Sequence, residues 1–209
     1  MAARAGRLMT PGRDWLVLCG LHGVASMLGW WGPELAQPLV WRVEDWDQRW
    51  WTVWSTAWVH VNTPHLIANQ MALGLLTAFS WVVRPDRACA VAWFLAWPIT
   101  YLAVAGWPQV GHVTGLSGLI HAALAVVAVH LFLQRLPVPQ ARRWGLLLGG
   151  LLLGKLALEQ AWNRPVVWDG VNDMSVVQAA WFSGTLAGGL LGGLTAWGAR
   201  LLERARARP

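Results

Sequence analysis

Charged residues cut this chain into long apolar runs. After Arg13 and Asp14 no charge occurs until Glu34, and none between Arg49 and Arg84 or between Arg87 and Arg135. A membrane-spanning helix needs about 20 mostly apolar residues, so the two longest runs each exceed one span. Pro64 divides the first of them and suits the first turn of a helix. Gly106-Trp107-Pro108 divides the second. This pattern predicts six spans, at about 15–31, 64–82, 88–105, 113–133, 144–162 and 175–199, with an interfacial segment over about 36–63. The fold class expected is all-α: a polytopic membrane protein with a six-transmembrane-helix bundle, forming a single domain over 1–209.

Composition strengthens that picture. Hydrophobic residues make up 56% of the 209 positions and charged residues only 12%, against about 25% charged in soluble domains. The same numbers exclude disorder. The chain holds 18 Trp but four Phe and one Tyr. Membrane interfaces concentrate Trp, because indole has an apolar body and one polar N–H. Most of the Trp are therefore expected in interfacial belts, including Trp15 and Trp144 on one side, Trp31 and Trp162 on the other, and Trp41, Trp50 and Trp51 in the interfacial segment.

The formal charge of +6 gives an orientation and no nucleic-acid partner. Twelve Arg fall on the side of the N-terminus, the 2–3 and 4–5 connections and the C-terminal tail (Arg4, Arg7 and Arg208 among them); three, Arg42, Arg49 and Arg164, fall on the other. The positive-inside rule then puts both termini in the cytoplasm. Arg ahead of an apolar run also describes a signal peptide, but the first run is long for one. The two cysteines, Cys19 and Cys89, make no disulfide framework or zinc spacing, and no metal or cofactor is expected.

Polar residues inside apolar runs are costly and mark function. His60, Asn62, His65 and Asn69 open the second predicted span, and His112, Thr114, Ser117 and His121 the fourth. Lys155 and Glu159 lie in the fifth; Ser175, Gln178 and Ser183 in the sixth. Spans two, four and six enter from the same outer side, so His65, Ser117 and position 181 lie roughly 3–10 Å below that interface. One polar site opening outward follows. His65 and Asn69 share a helix face at i, i+4, where an amide and an imidazole N–H suit an oxyanion or an interhelical hydrogen bond. Lys155 and Glu159, also at i, i+4, suit an ion pair. Glycines at four-residue steps (Gly184, Gly188, Gly192) suit close helix packing.

These residues together resemble a known family. His60-x-x-x-x-His65-x-x-x-Asn69, Gly115-Leu116-Ser117-Gly118 and a glycine-repeat final helix are similar to the rhomboid intramembrane serine proteases. The run Gly115-Leu116-Ser117-Gly118-Leu119-Ile120-His121, with Lys155, Glu159 and Gln160, resembles the rhombosortase subgroup. The resemblance implies a rhomboid-like bundle in a bacterial cytoplasmic (inner) membrane. It makes Ser117 the nucleophile and gives an oxyanion hole of His65, Asn69 and the Ser117 N–H. The lipid bilayer and C-terminal membrane anchors of secreted or surface proteins would be the partners, cut near the periplasmic face.

The family's general base is a His on the last helix. Its position here is Trp181, in Ala180-Trp181-Phe182-Ser183-Gly184. Indole nitrogen is a donor only. Three readings stay open: a protease using another base, with His112, His121 or Lys155 (freed from Glu159) as candidates; a pseudoprotease that binds transmembrane segments or partner proteins; or an active protein in which the last helix aligns to the family in another register or position 181 carries a substitution.

Overall fold

A computed structural model describes residues 12–206. The order is α1 (Arg13–Trp31), α2 (Pro33–Ala36), a 3-10 turn (Gln37–Leu39), β1 (Trp41–Arg42), α3 (Thr52–Ser55) and a 3-10 turn (Thr56–Trp58). There follow α4 (Thr63–Val83), α5 (Arg87–Leu102) with a 3-10 extension (Ala103–Gly106), β2 (His112–Val113) and α6 (Ser117–Phe132). Then come α7 (Ala141–Glu159), β3 (Val166–Asp169), β4 (Met174–Val177) and α8 (Gln178–Arg206). Arg4, Arg7 and Arg208, used for orientation above, lie outside the described residues.

Local chemistry sets the boundaries. The Asn62 side chain caps α4 by accepting from the His65 N–H at 2.9 Å, and Pro64 sits in the first turn, where its missing donor costs nothing. Arg84 ends α4 in the left-handed region, its N–H returning to Ser80 O at 2.8 Å. Asp86 caps α5 through the Cys89 N–H at 3.0 Å, so α4 and α5 join in three residues.

α6 is the central helix, packed against α4, α5, α7 and α8. Leu119, Ala122, Ala123, Val126, Val127 and Leu131 are fully buried. α8 lies so close that a Cβ on Gly184 would run into the Gly118 carbonyl oxygen, and one on Gly188 into that of Ala122. The glycine repeat thus brings the two backbones together, as the spacing predicts. The same core extends to α1, α3 and α5 through aromatic rings: Trp15 lies 4.6 Å from Trp93, His22 lies 4.4 Å from Trp97, and Trp54 lies 5.1 Å from Trp97. Trp15 and Trp41 are fully buried, which corrects their placement in interfacial belts; Trp31, Trp50, Trp144 and Trp162 are exposed.

The fold departs from the sequence expectation in two larger ways. Among the described residues two helices are long and apolar enough to cross a membrane, Thr63–Val83 and Arg87–Gly106. α6 has 16 residues, about 24 Å of helix against a hydrocarbon core of about 30 Å. α1 carries Arg13, Asp14 and His22; α7 carries Arg142, Arg143, Lys155 and Glu159; α8 is diluted by Gly, Thr and Trp. The expected six-transmembrane-helix, rhomboid-like bundle is therefore overturned: freedom from charge over a run was too weak a criterion for a span. The chain is mainly helical but also carries two short two-stranded sheets. β1 pairs antiparallel with β2, Trp41 opposite Val113, and β3 with β4, Val166 opposite Val177. Residues 113 and 175–177, assigned to spans from sequence, are strand.

Candidate functional site around Ser117

Ser117 is the first residue of α6 and follows a forced turn. Gly115 has φ +91°, and a Cβ there would stand 2.5 Å from His65 Nε2 and Cε1. Only glycine lets the His65 imidazole pack onto this turn. Tyr101 Oη, fully buried, donates to Gly115 O at 2.7 Å, and Gly115 N donates to Thr56 O at 3.1 Å. The Thr56 hydroxyl donates in turn to Val113 O. α5, the 3-10 turn before α4, and β2 thus fix the backbone leading into Ser117.

On one side of the turn stand His60, His65 and Asn69. The two imidazoles meet edge to face at 4.9 Å. Asn69 is buried, and its Nδ2 donates to His65 O at 3.0 Å, leaving one amide proton free. His65 Nδ1 and His60 Nε2 are buried without a protein partner. Burial pushes the His60 pKa down to about 4, with Trp58 O partly opposing it.

On the other side stands Trp181 of α8. Its Nε1 donates to Ser117 Oγ at 2.9 Å. Its ring stacks on His121 at 5.4 Å, nearly parallel, and Lys155 Nζ lies 3.5 Å from the ring centroid. Lys155 is also paired with Glu159 at 2.6 Å. His121 Nδ1 bonds Ser117 O at 2.7 Å. As the backbone carbonyl can only accept, Nδ1 carries the proton. No hydrogen bond joins His121, His112 or Lys155 to Ser117 Oγ among the described residues.

A cavity of about 620 Å³ opens onto Ser117, lined by Asn62, His65, His112, Thr114 and Ala180 together with β4. His112 sits on β2 at its rim; its pKa is lowered, by burial first and then by Arg42. Asn62 Nδ2 donates to Asn172 O at 2.7 Å, tying the start of α4 to the β3–β4 turn across the cavity.

The structure therefore gathers Ser117, His65, Asn69, Trp181, His121, Lys155 and Glu159 around one turn, with His60 behind His65 and His112 at the mouth. Sequence reasoning missed Tyr101 and Thr56, which hold the turn, and the hairpin beside the cavity. A run of β-branched residues on both sides of Asp169-Gly170-Val171-Asn172-Asp173 was the available signal for the hairpin. The chain matches no protein-family model and no curated protein.

Proposed function

We propose that the chain is a membrane-embedded, rhombosortase-type relative of the rhomboid serine proteases in a bacterial cytoplasmic membrane. Its Ser117 site engages membrane-anchored polypeptide without the family's acid–base chemistry, as a pseudoprotease. The observation that carries this reading is the 2.9 Å bond from Trp181 Nε1 to Ser117 Oγ. A base would have to accept the Ser117 proton from that direction, and an indole offers a donor instead. The motif around Gly115 and the proximity of His65 and Asn69 support the family assignment. Exposed Ile67, Met71 and Leu75 on α4 and Val91, Leu95 and Ile99 on α5, the two helices long and apolar enough to cross a membrane, support a lipid-facing surface. The bound segment would be a C-terminal membrane anchor of a secreted or surface protein, received in the cavity beside Ser117.

A second reading keeps the chemistry. Lys155 Nζ, 3.5 Å from the Trp181 ring, would leave a proton on its partner Glu159 and, as the neutral amine, take the Ser117 proton once the indole has moved. Ser117 would then attack a carbonyl, with the oxyanion on His65, Asn69 and its own N–H. Loss of the base from a serine protease lowers kcat by about a millionfold, so the two readings differ sharply. Purified protein in detergent is treated with a fluorophosphonate probe as wild type, Ser117→Ala, Trp181→His and Lys155→Met. The pseudoprotease reading expects labelling only with Trp181→His. Ser117-dependent labelling of the wild type refutes it, and loss of that labelling in Lys155→Met establishes the Lys155 route. No labelling of any form, Trp181→His included, removes the serine-hydrolase ancestry.

A further inference from the structure

Away from the Ser117 site, the start of α5 and the end of α6 bring together residues distant in sequence. Asp86 caps α5, and Cys89 lies on the first turn of the same helix. His130 lies on the last turn of α6. A carboxylate oxygen of Asp86, Sγ of Cys89 and a ring nitrogen of His130 all lie within 4.8 Å of one another. Cys89 and His130 are fully buried, while Asp86 reaches solvent.

Two features separate this cluster from ordinary packing. First, His130 is only half satisfied. Its Nε2 lies 3.2 Å from Thr195 Oγ1 of α8, and its Nδ1 is buried with no partner. A buried imidazole nitrogen without a partner is costly. Second, the donors form a recognisable set. Thiolate, imidazole and carboxylate suit zinc and its neighbours in the transition series, and do not suit calcium or magnesium. Tetrahedral zinc, with bonds of about 2.0–2.3 Å, places its ligand atoms about 3.5 Å apart. The three donors reach that spacing with shifts of about 1 Å or less. The Thr195 contact holds the imidazole ring as a second-sphere partner does in such sites. Asp86 at the solvent edge gives the ion a way in and leaves room for a water as fourth ligand.

We propose that Asp86, Cys89 and His130 bind a divalent transition-metal ion of the zinc class. The ion ties the start of α5 to the end of α6. With Cys89 as thiolate and Asp86 ionised, the ion's charge is matched by its two anionic ligands. Arg135, which also faces these groups, is neutralised separately through its paired bonds to Glu203 at 2.6 and 3.0 Å. The site is independent of the chemistry at Ser117.

The test uses the full chain in detergent, without a polyhistidine tag, stripped with chelator and titrated with Co2+ and then Zn2+. A thiolate-to-cobalt charge-transfer band in the near ultraviolet, saturating at one equivalent and bleached by Zn2+, is expected. Cys19→Ser, which removes the other thiol, keeps the band. Cys89→Ser abolishes it, and Asp86→Asn, which retains the helix cap, weakens Co2+ binding by about tenfold or more. Metal-free unfolding temperatures verify that each variant folds. No band in the wild type, or a band that survives Cys89→Ser, overturns the proposal; if Cys89→Ser does not fold, Co2+ affinity unchanged in Asp86→Asn overturns it equally.

Discussion

Gly115→Ala should be among the most damaging single-methyl additions in the molecule, and its cost divides into two parts. At φ +91° an alanine carries about 1–2 kcal/mol of backbone strain. Its Cβ also lands 2.5 Å from two ring atoms of His65. That ring is held between His60 and the turn, so it must rotate away, at about 1–3 kcal/mol for overpacking. Together these give a loss of about 2–5 kcal/mol, or a fall of about 5–15 °C in unfolding temperature for a chain of this size. Gly111→Ala is the matched control. It lies four residues upstream in the same connection, and a Cβ there meets nothing within 4 Å; its effect should stay within about 0.5 kcal/mol. The assay is tryptophan-fluorescence thermal unfolding of both variants in one detergent. Equal shifts for the two would refute the claim that His65 and the Ser117 turn are locked together through Gly115.

Three further outcomes are expected. Tyr101→Phe leaves the Gly115 carbonyl without its 2.7 Å donor, and should cost about 1–3 kcal/mol in a buried setting; an unfolding midpoint equal to the wild type's would count against the hydroxyl as the support of the turn. Asp169 accepts from the Asn172 side chain at 2.7 Å and from the Val171 N–H at 2.9 Å, and its pKa is lowered by those bonds, the Asn172 amide first. A depressed folded pKa means its contribution to the β3–β4 turn is complete above the ordinary aspartate range near 4 and is lost as pH falls through the lower folded value. Protection factors of the Val171 and Asn172 amides should therefore hold down to about pH 4 and drop below it, and Asp169→Asn should remove that drop. Finally, a double-mutant cycle of Ser117→Ala and Trp181→Phe should show a coupling of about 0.5–1.5 kcal/mol in stability; strict additivity would mean that the indole–hydroxyl bond contributes nothing to the fold.

The helical skeleton was legible because its signals are local. Asn62 and Pro64 mark the start of α4, and the glycine steps at 184, 188 and 192 mark a face that another backbone can approach. Membrane crossing was less legible. Lack of charge over a run does not measure length, and α6 begins only at Ser117 because the Gly115 turn precedes it. The Trp distribution misled in the same way. An interfacial indole and a core indole have the same side chain, and only long-range packing puts Trp15 against Trp93 and Trp97 against His22. At the candidate site, the sequence identified the side chains facing the cavity and missed those supporting it from behind. Tyr101 and Thr56 act through backbone carbonyls, and such contacts leave no spacing pattern. Asp86, Cys89 and His130 were invisible for a related reason, since their proximity depends on how α5 and α6 pack.

Trp181 is held by partners from two other helices, and each narrows what Ser117 can do. Its N–H is satisfied by Ser117 Oγ; its ring stacks on His121 of the same helix as Ser117 and meets the ammonium of Lys155 on α7. A cation so close to an indole ring gains about 0.5–2 kcal/mol, in addition to its pairing with Glu159. A lysine held by both interactions has its ammonium directed at Glu159 and the indole face, and not at Ser117 Oγ. His121 is likewise oriented by the Ser117 carbonyl, so its protonated nitrogen faces backbone. The indole donates into a lone pair on Ser117 Oγ, the oxygen that would have to attack. Lys155 and His121 thus each have another partner, and the hydroxyl is itself the acceptor for an indole N–H. In this arrangement Ser117 serves first to satisfy a tryptophan, and nucleophilic chemistry would require the indole to leave.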